Sequence, residues 1–309
     1  MVRWRRLWGR THGRYPPQRL ARGPRTTVAY TPAVPLQTIA QSLAYINWTV
    51  LLALALGSFG VVVLCRLRTD ATRGYLSFMT FTSALLGLLV LVSDFGLPAP
   101  DDLAIAAAPS LDVPRRLCLA LFALLGTVYG VAIVRGRRAP ALGLAALALG
   151  IFAAILGGWG WAGGPVAGTG VAVQFLALSA VTGGALAALV LGHWYLVTPR
   201  LSEGPLLLTS RALMLAVALQ LGLFFVWLST GAGAGRRPFE PLVGEGALLI
   251  WLRLIVGLCF PLVLSFMAVR TAHSRSMESA TGILYIDLAA IASGTIVAAG
   301  LYFAFGLLL

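Results

Sequence analysis

The sequence predicts an all-α fold, a polytopic bundle of about eight membrane-spanning helices. Three observations predict it. Of 309 residues, 59% are hydrophobic and only 11% are charged. The mean hydropathy is +0.90, a balance that no soluble globular domain has. The apolar residues fall in runs of roughly 20, bounded by charge, Pro or Gly, which is what a helix needs to cross about 30 Å of hydrocarbon. In lipid the backbone must satisfy its own hydrogen bonds, and these runs far exceed the ~10-residue strands of a membrane barrel, so each run is a helix.

Residues 1–42 form a basic, Pro-containing N-terminal tail. Its segment "MVRWRRLWGRTHGRYPPQRLARGPR" holds eight arginines and no acid. No short apolar core follows the charges as in a signal peptide, and "WRRLWG" lacks the flanks of a twin-arginine signal. The tail reads either as a real arm or as sequence upstream of a true start near Val28.

Residues 43–309 are the transmembrane domain, with spans expected at 43–65, 74–93, 117–134, 141–162, 171–197, 206–230, 246–269 and 280–307. The break at 93–116 has room for one short interfacial helix. The stretch "GGWGWAGGPVAGTG", 157–170, has no GK[ST] ending and so is no phosphate loop; it reads as a flexible turn carrying two interfacial tryptophans.

The formal charge of +13 is carried entirely by arginine, since the chain has no lysine. That excludes a Walker-A lysine and a Schiff-base lysine. The arginines lie in the tail and in short breaks between apolar runs, so they report membrane orientation and not nucleic-acid binding. The breaks after the odd-numbered spans carry Arg66, Arg68, Arg73, Arg135, Arg137, Arg138, Arg200, Arg270 and Arg275. Those after the even-numbered spans carry only Arg115, Arg116, Arg236 and Arg237, with six acids. The asymmetry places the odd loops in the cytoplasm and both termini outside, in a bacterial inner (plasma) membrane. Of the tail arginines only Arg25 is near enough to a span to oppose this.

Membrane helices associate through small residues. Ala180, Gly184, Ala188 and Gly192 form such a ridge on the fifth span, and Ala290, Gly294 and Ala298 on the eighth. On a helical wheel Ser179, Thr182 and His193 share one face beside the first ridge, and Asp287 lies two turns from Gly294. His193, Arg211 and Asp287 fall at matching depth. With His273, Arg275, Ser276 and Glu278 in the last loop they predict a cytoplasm-side polar cluster of His193, Arg211, Asp287 and His273. The plain alternatives are that His193, followed by Trp194 and Tyr195, is part of an aromatic belt, and that Arg211 is a positive-inside anchor. Arg253 lies apart and is expected to snorkel outward or pair with Glu245. Cys65, Cys118 and Cys259 stand singly and read as packing residues.

The polar cluster suits a quinone-interacting subunit of an electron-transfer complex, in which a His/Asp pair delivers protons to a bound quinone. In helix number alone the chain is similar to the NrfD-like quinol-interacting subunits. Haem b is the lesser cofactor expectation, because bis-histidine ligation needs two rings inside the bundle and only His193 falls within a span. The alternatives are a proton-coupled secondary transporter, for which Pro261 supplies one helix break, and a scaffold subunit without a site. The lipid bilayer is the expected partner, with other membrane or peripheral redox subunits for the first reading. No HExxH or GxSxG motif points to a hydrolase.

Overall fold

A computed structural model describes residues 36–100, 103–198, 201–231, 237–243 and 246–309; of the expected tail, residues 1–35 lie outside them and residues 36–42 belong to the first helix. Among the described residues eight helices are long and apolar enough to cross a membrane, so the chain is a multi-pass membrane protein. The spans are Leu36–Arg68, Arg73–Phe95, Asp112–Val134, Pro140–Gly160, Pro165–Val197 and Gly204–Thr230, then Ala247–His273 and Met277–Phe305. Local chemistry sets several ends. The Thr72 hydroxyl caps the second helix at Tyr75 N. Pro140, Pro165 and Pro205 each occupy a first helical turn, where a missing N–H costs nothing. Gly231 and Gly306 close their helices at φ +63° and +67°, a left-handed conformation that glycine adopts without strain.

The third helix begins before residue 117, because Arg115 and Arg116 are helical and turned toward the protein instead of marking a loop. Among the described residues the 93–116 break begins and ends within the flanking α-helices and holds a 3-10 turn, Pro109–Leu111, that runs directly into the third helix. The glycine-rich stretch is also mostly helix. Gly157, Gly158 and Gly160 belong to the fourth span and Gly168 to the fifth. A Cβ on Gly158 would lie 2.5 Å from the Ala172 nitrogen, and one on Gly168 2.5 Å from the Trp159 Cα. The glycines are there so that two backbones can touch. Trp161 is buried, not interfacial, with its ring 4.5 Å from that of Trp48 and 5.3 Å from that of Tyr45.

The neighbour pattern of the first four spans recurs in the last four. In each half the first helix packs on the second, the second on the third, the third on the fourth, and the fourth on the first. Between halves the first and fifth spans make the most extensive contact. The fourth packs on the fifth as the eighth packs on the first. Four crossings separate equivalent helices, so they run parallel, as in repeats related by an axis along the membrane normal. The halves meet at Gly57 and Gly183, where a Cβ on Gly57 would stand 2.9 Å from the Gly183 Cα. Interhelical hydroxyl pairs tie each ring internally: Ser58 to Ser83 at 2.8 Å in the first, Thr182 to Thr295 at 2.7 Å in the second.

Candidate functional site

Each half carries one arginine buried near the start of its third helix. In the first half it is Arg115, 1% exposed, beside Asp94 at 0%. Arg115 Nε donates to Asp94 Oδ2 at 2.7 Å and Nη2 to Oδ1 at 3.0 Å, a bidentate fork. Arg116 Nε donates to Oδ1 at 2.8 Å, and Trp48 Nε1 to Oδ2 at 2.9 Å. Asp94 thus accepts four hydrogen bonds, the capacity of an ionised carboxylate. Arg115 Nη1 lies 2.9 Å from Asp112 Oδ1, and the guanidinium sits 4.9 Å from the Trp161 ring centroid. A cavity of about 170 Å³ opens beside the cluster, its wall including Tyr45, Pro98, Arg115 and Arg116. Two cations balance two carboxylates, so the charge of this cluster is met within it, while Arg115 Nη1 has the ion pair with Asp112 but no hydrogen bond among the described residues.

The second half repeats the arginine without the carboxylate. Arg253 is 1% exposed, so it does not snorkel outward as expected. Its side chain runs along the helix toward the π-helical turn Ile255–Cys259, and Nη1 donates to the Gly257 carbonyl at 3.3 Å. Two glycines make the room. A Cβ on Gly257 would fall 3.1 Å, and one on Gly294 2.8 Å, from that same Nη1. The π-turn precedes Pro261, whose ring cannot sit in a regular α-helical ladder; the helix continues through it to His273, so the proline accompanies a distortion and not the break expected there. Arg253 Nε and Nη2 have no hydrogen-bond partner among the described residues. Glu245, the partner expected for it, lies outside them.

Two further groups share this half. Gln220, 1% exposed, has neither amide atom paired among the described residues. One turn along the same helix, Phe224 packs with Ile250 and Leu258, which flank Arg253 in the seventh span. Asp287 is fully buried on the small face of the eighth span, as the wheel predicted. Its Oδ2 accepts the Ser265 hydroxyl at 2.7 Å and its Oδ1 is unpaired among the described residues. Seven residues separate it from Gly294, about 10 Å along the helix.

The predicted cluster separates into two environments. Asp287 is buried, whereas His193, Arg211 and His273 are exposed. No hydrogen bond or ion pair among the described residues joins the four. His193 shares an angular position with Thr182, but an angle carries no height. At Thr182 the eighth span closes over the helix. Near His193, Gly192 is covered by Thr281 and Trp194 lies against Gly74, leaving the imidazole outside. Arg275 pairs with Glu203 at the surface. With His193 and His273 both exposed, the described residues place no histidine inside the bundle for a haem. They also hold no group of three or more metal-ligating side chains.

The residues missed in sequence are Arg115, counted as a loop charge, and Gln220, a lone amide in an apolar run. The available signal was the glycine four residues after Arg253, one helical turn away, where a long side chain can lie. No protein-family profile matches the chain, and neither a curated protein nor a solved structure is significantly similar to it.

Proposed function

We propose that the chain is a proton-coupled secondary transporter whose working half is its last four spans. One observation carries this reading: Arg253 and Asp287, opposite in charge and fully buried, lie on adjoining helices of one ring, each with polar atoms left unpaired among the described residues. Ionisable groups inside a membrane are expensive and mark ion or substrate paths. Asp287 is the proton carrier in this scheme. Ser265 holds Oδ2, so Oδ1 is the atom that takes and gives up the proton. A charged and a neutral Asp287 present different fields to Arg253, which links proton occupancy to the state of the arginine. Parallel structural repeats are a feature that transporters use, and the π-turn distorts the seventh span beside the charged position. The quinone-subunit reading relied on His193, Arg211 and His273 acting with Asp287, and three of those four are exposed.

The test is reconstitution into vesicles with a trapped pH-sensitive dye, challenged with small anions, cations and neutral solutes. The expected result is solute-dependent proton movement that Asp287→Asn abolishes in protein of unchanged thermal stability. Equal proton movement in wild type and folded Asp287→Asn would overturn the proposal.

A further inference from the structure

The two halves differ in one informative way. Arg115 engages Asp94 through Nε and Nη2. Those same two nitrogens are the ones unpaired on Arg253 among the described residues. The third nitrogen is placed alike in both halves, since Nη1 lies against a glycine of the fourth helix of its ring. A Cβ on Gly160 would come 3.2 Å from Arg115 Nη1, and one on Gly294 2.8 Å from Arg253 Nη1. The first half therefore displays what a guanidinium held in this way binds, a planar carboxylate accepting two parallel hydrogen bonds. In the second half the second helix carries Gln220, an amide with an unpaired N–H pair, ten residues before its end, whereas Asp94 lies one residue before the end of its own helix.

We propose that the Nε/Nη2 fork of Arg253, with a contribution from Gln220 of the sixth span, which packs on the adjoining π-turn, binds the carboxylate group of an organic acid. This rests on the transporter reading and names its substrate class. Chemistry selects the ligand. A buried guanidinium without a counter-charge is costly, so an anion is favoured. The fork matches a planar oxyanion with two oxygens at fixed separation, whereas a spherical anion meets only the point charge. The Gln220 amide can donate to the same carboxylate or accept a hydroxyl next to it. The site lies six residues into its span, about 9 Å along the helix, and the adjoining π-turn is the kind of helix defect that accompanies binding sites.

The experiment measures ligand-dependent thermal stability and direct binding on the intact chain in detergent, with no gradient present. The probes are propanoate and decanoate, which separate a free small acid from a lipid-borne one, with propanamide and chloride as controls. The expected result is that at least one carboxylate binds, propanamide does not, and chloride binds at least tenfold more weakly. Arg253→Gln should abolish the effect, and Arg253→Lys, which keeps charge but loses the fork, should raise Kd about tenfold. Gln220→Leu is the second variant should Arg253→Gln fail to fold, and it too should weaken binding. Asp94→Asn should leave Kd unchanged.

Carboxylate binding that persists in Arg253→Gln, equal binding of chloride, or no carboxylate binding by wild type would each overturn the proposal. So would binding that emerges only in Glu245→Gln, because the fork would then belong to the chain's own Glu245. Binding without proton movement would sink the transport reading and leave the site standing. Proton movement without carboxylate binding would do the reverse.

Discussion

A guanidinium withdrawn from water is tolerated where its charge and its donors are met, and the two buried arginines differ in charge: Arg115 has Asp94 and Asp112 beside it, and Arg253 has no carboxylate among the described residues. Removing one partner of a buried pair costs about 3–5 kcal/mol, because the remaining charge stays buried. Asp94→Ala should therefore lower thermal stability markedly, since it strands Arg115 and takes the acceptor from Trp48 and Arg116. Arg253→Met, measured by thermal unfolding in detergent without carboxylate present, should leave stability equal or higher, because it removes an uncompensated charge and keeps the packing volume. A large loss in Arg253→Met would show that the chain itself meets that charge. His193, exposed at the end of its helix, makes the complementary case. His193→Gln should change stability by less than about 0.5 kcal/mol, and a loss of proton movement in that variant would restore the histidine to the site. Asp287 could be placed correctly in advance because its burial follows from angle alone. His193 could not, because its exposure depends on which neighbours reach its height.

At the scale of the helix, apolar run length located all eight spans, and the errors cluster where charge or glycine was read as loop. Arg115 looked like a span boundary because a charge in sequence does not reveal whether its partner, Asp94, waits on another helix. In the 157–170 stretch Gly158 and Gly168 mark helix-to-helix contact, while Gly163 and Gly164, at φ +79° and +134°, form the turn expected there. The small-residue ridges were partly legible. Gly184, Ala188 and Gly192 are buried while Ala180 is exposed, and the tightest crossing is one residue away at Gly183. Gly183→Leu should destabilise by about 1–3 kcal/mol or more, since a Cβ there would already stand 2.5 Å from the Gly57 Cα and 2.6 Å from the Ala53 carbonyl oxygen. Gly282→Ala, with nothing within 4 Å of the added atom, should be neutral or stabilising by up to about 1 kcal/mol through its helix propensity. Thermal unfolding of the two purified variants decides it, and similar losses in both would mean that the Gly57–Gly183 crossing is not specially tight.

For the whole molecule, a repeat carried in packing and not in residue identity is invisible to inspection of the sequence. Membrane helices of almost any apolar composition form the same ring once small residues occupy the crossing points. Sidedness, in contrast, is written in the loops. Arg66, Arg68 and Arg73 flank a cavity together with Arg138 at one end of the bundle, while the acid-balanced Arg115 cluster lies at the other. By count of arginines, and not by net charge, the first group is the one that the positive-inside rule predicts in the cytoplasm; the second carries Arg115 and Arg116, paired with Asp94 and Asp112. In a background with Cys65, Cys118 and Cys259 replaced, Arg137→Cys and Arg275→Cys should resist a membrane-impermeant maleimide in intact cells and react after permeabilisation. Pro98→Cys, in the connection beside the Arg115 cluster, should react in intact cells. The opposite labelling pattern would invert the molecule, placing Arg253 nearer the cytoplasm and Asp287 nearer the outside, and would reverse the face from which Asp287 is loaded with its proton.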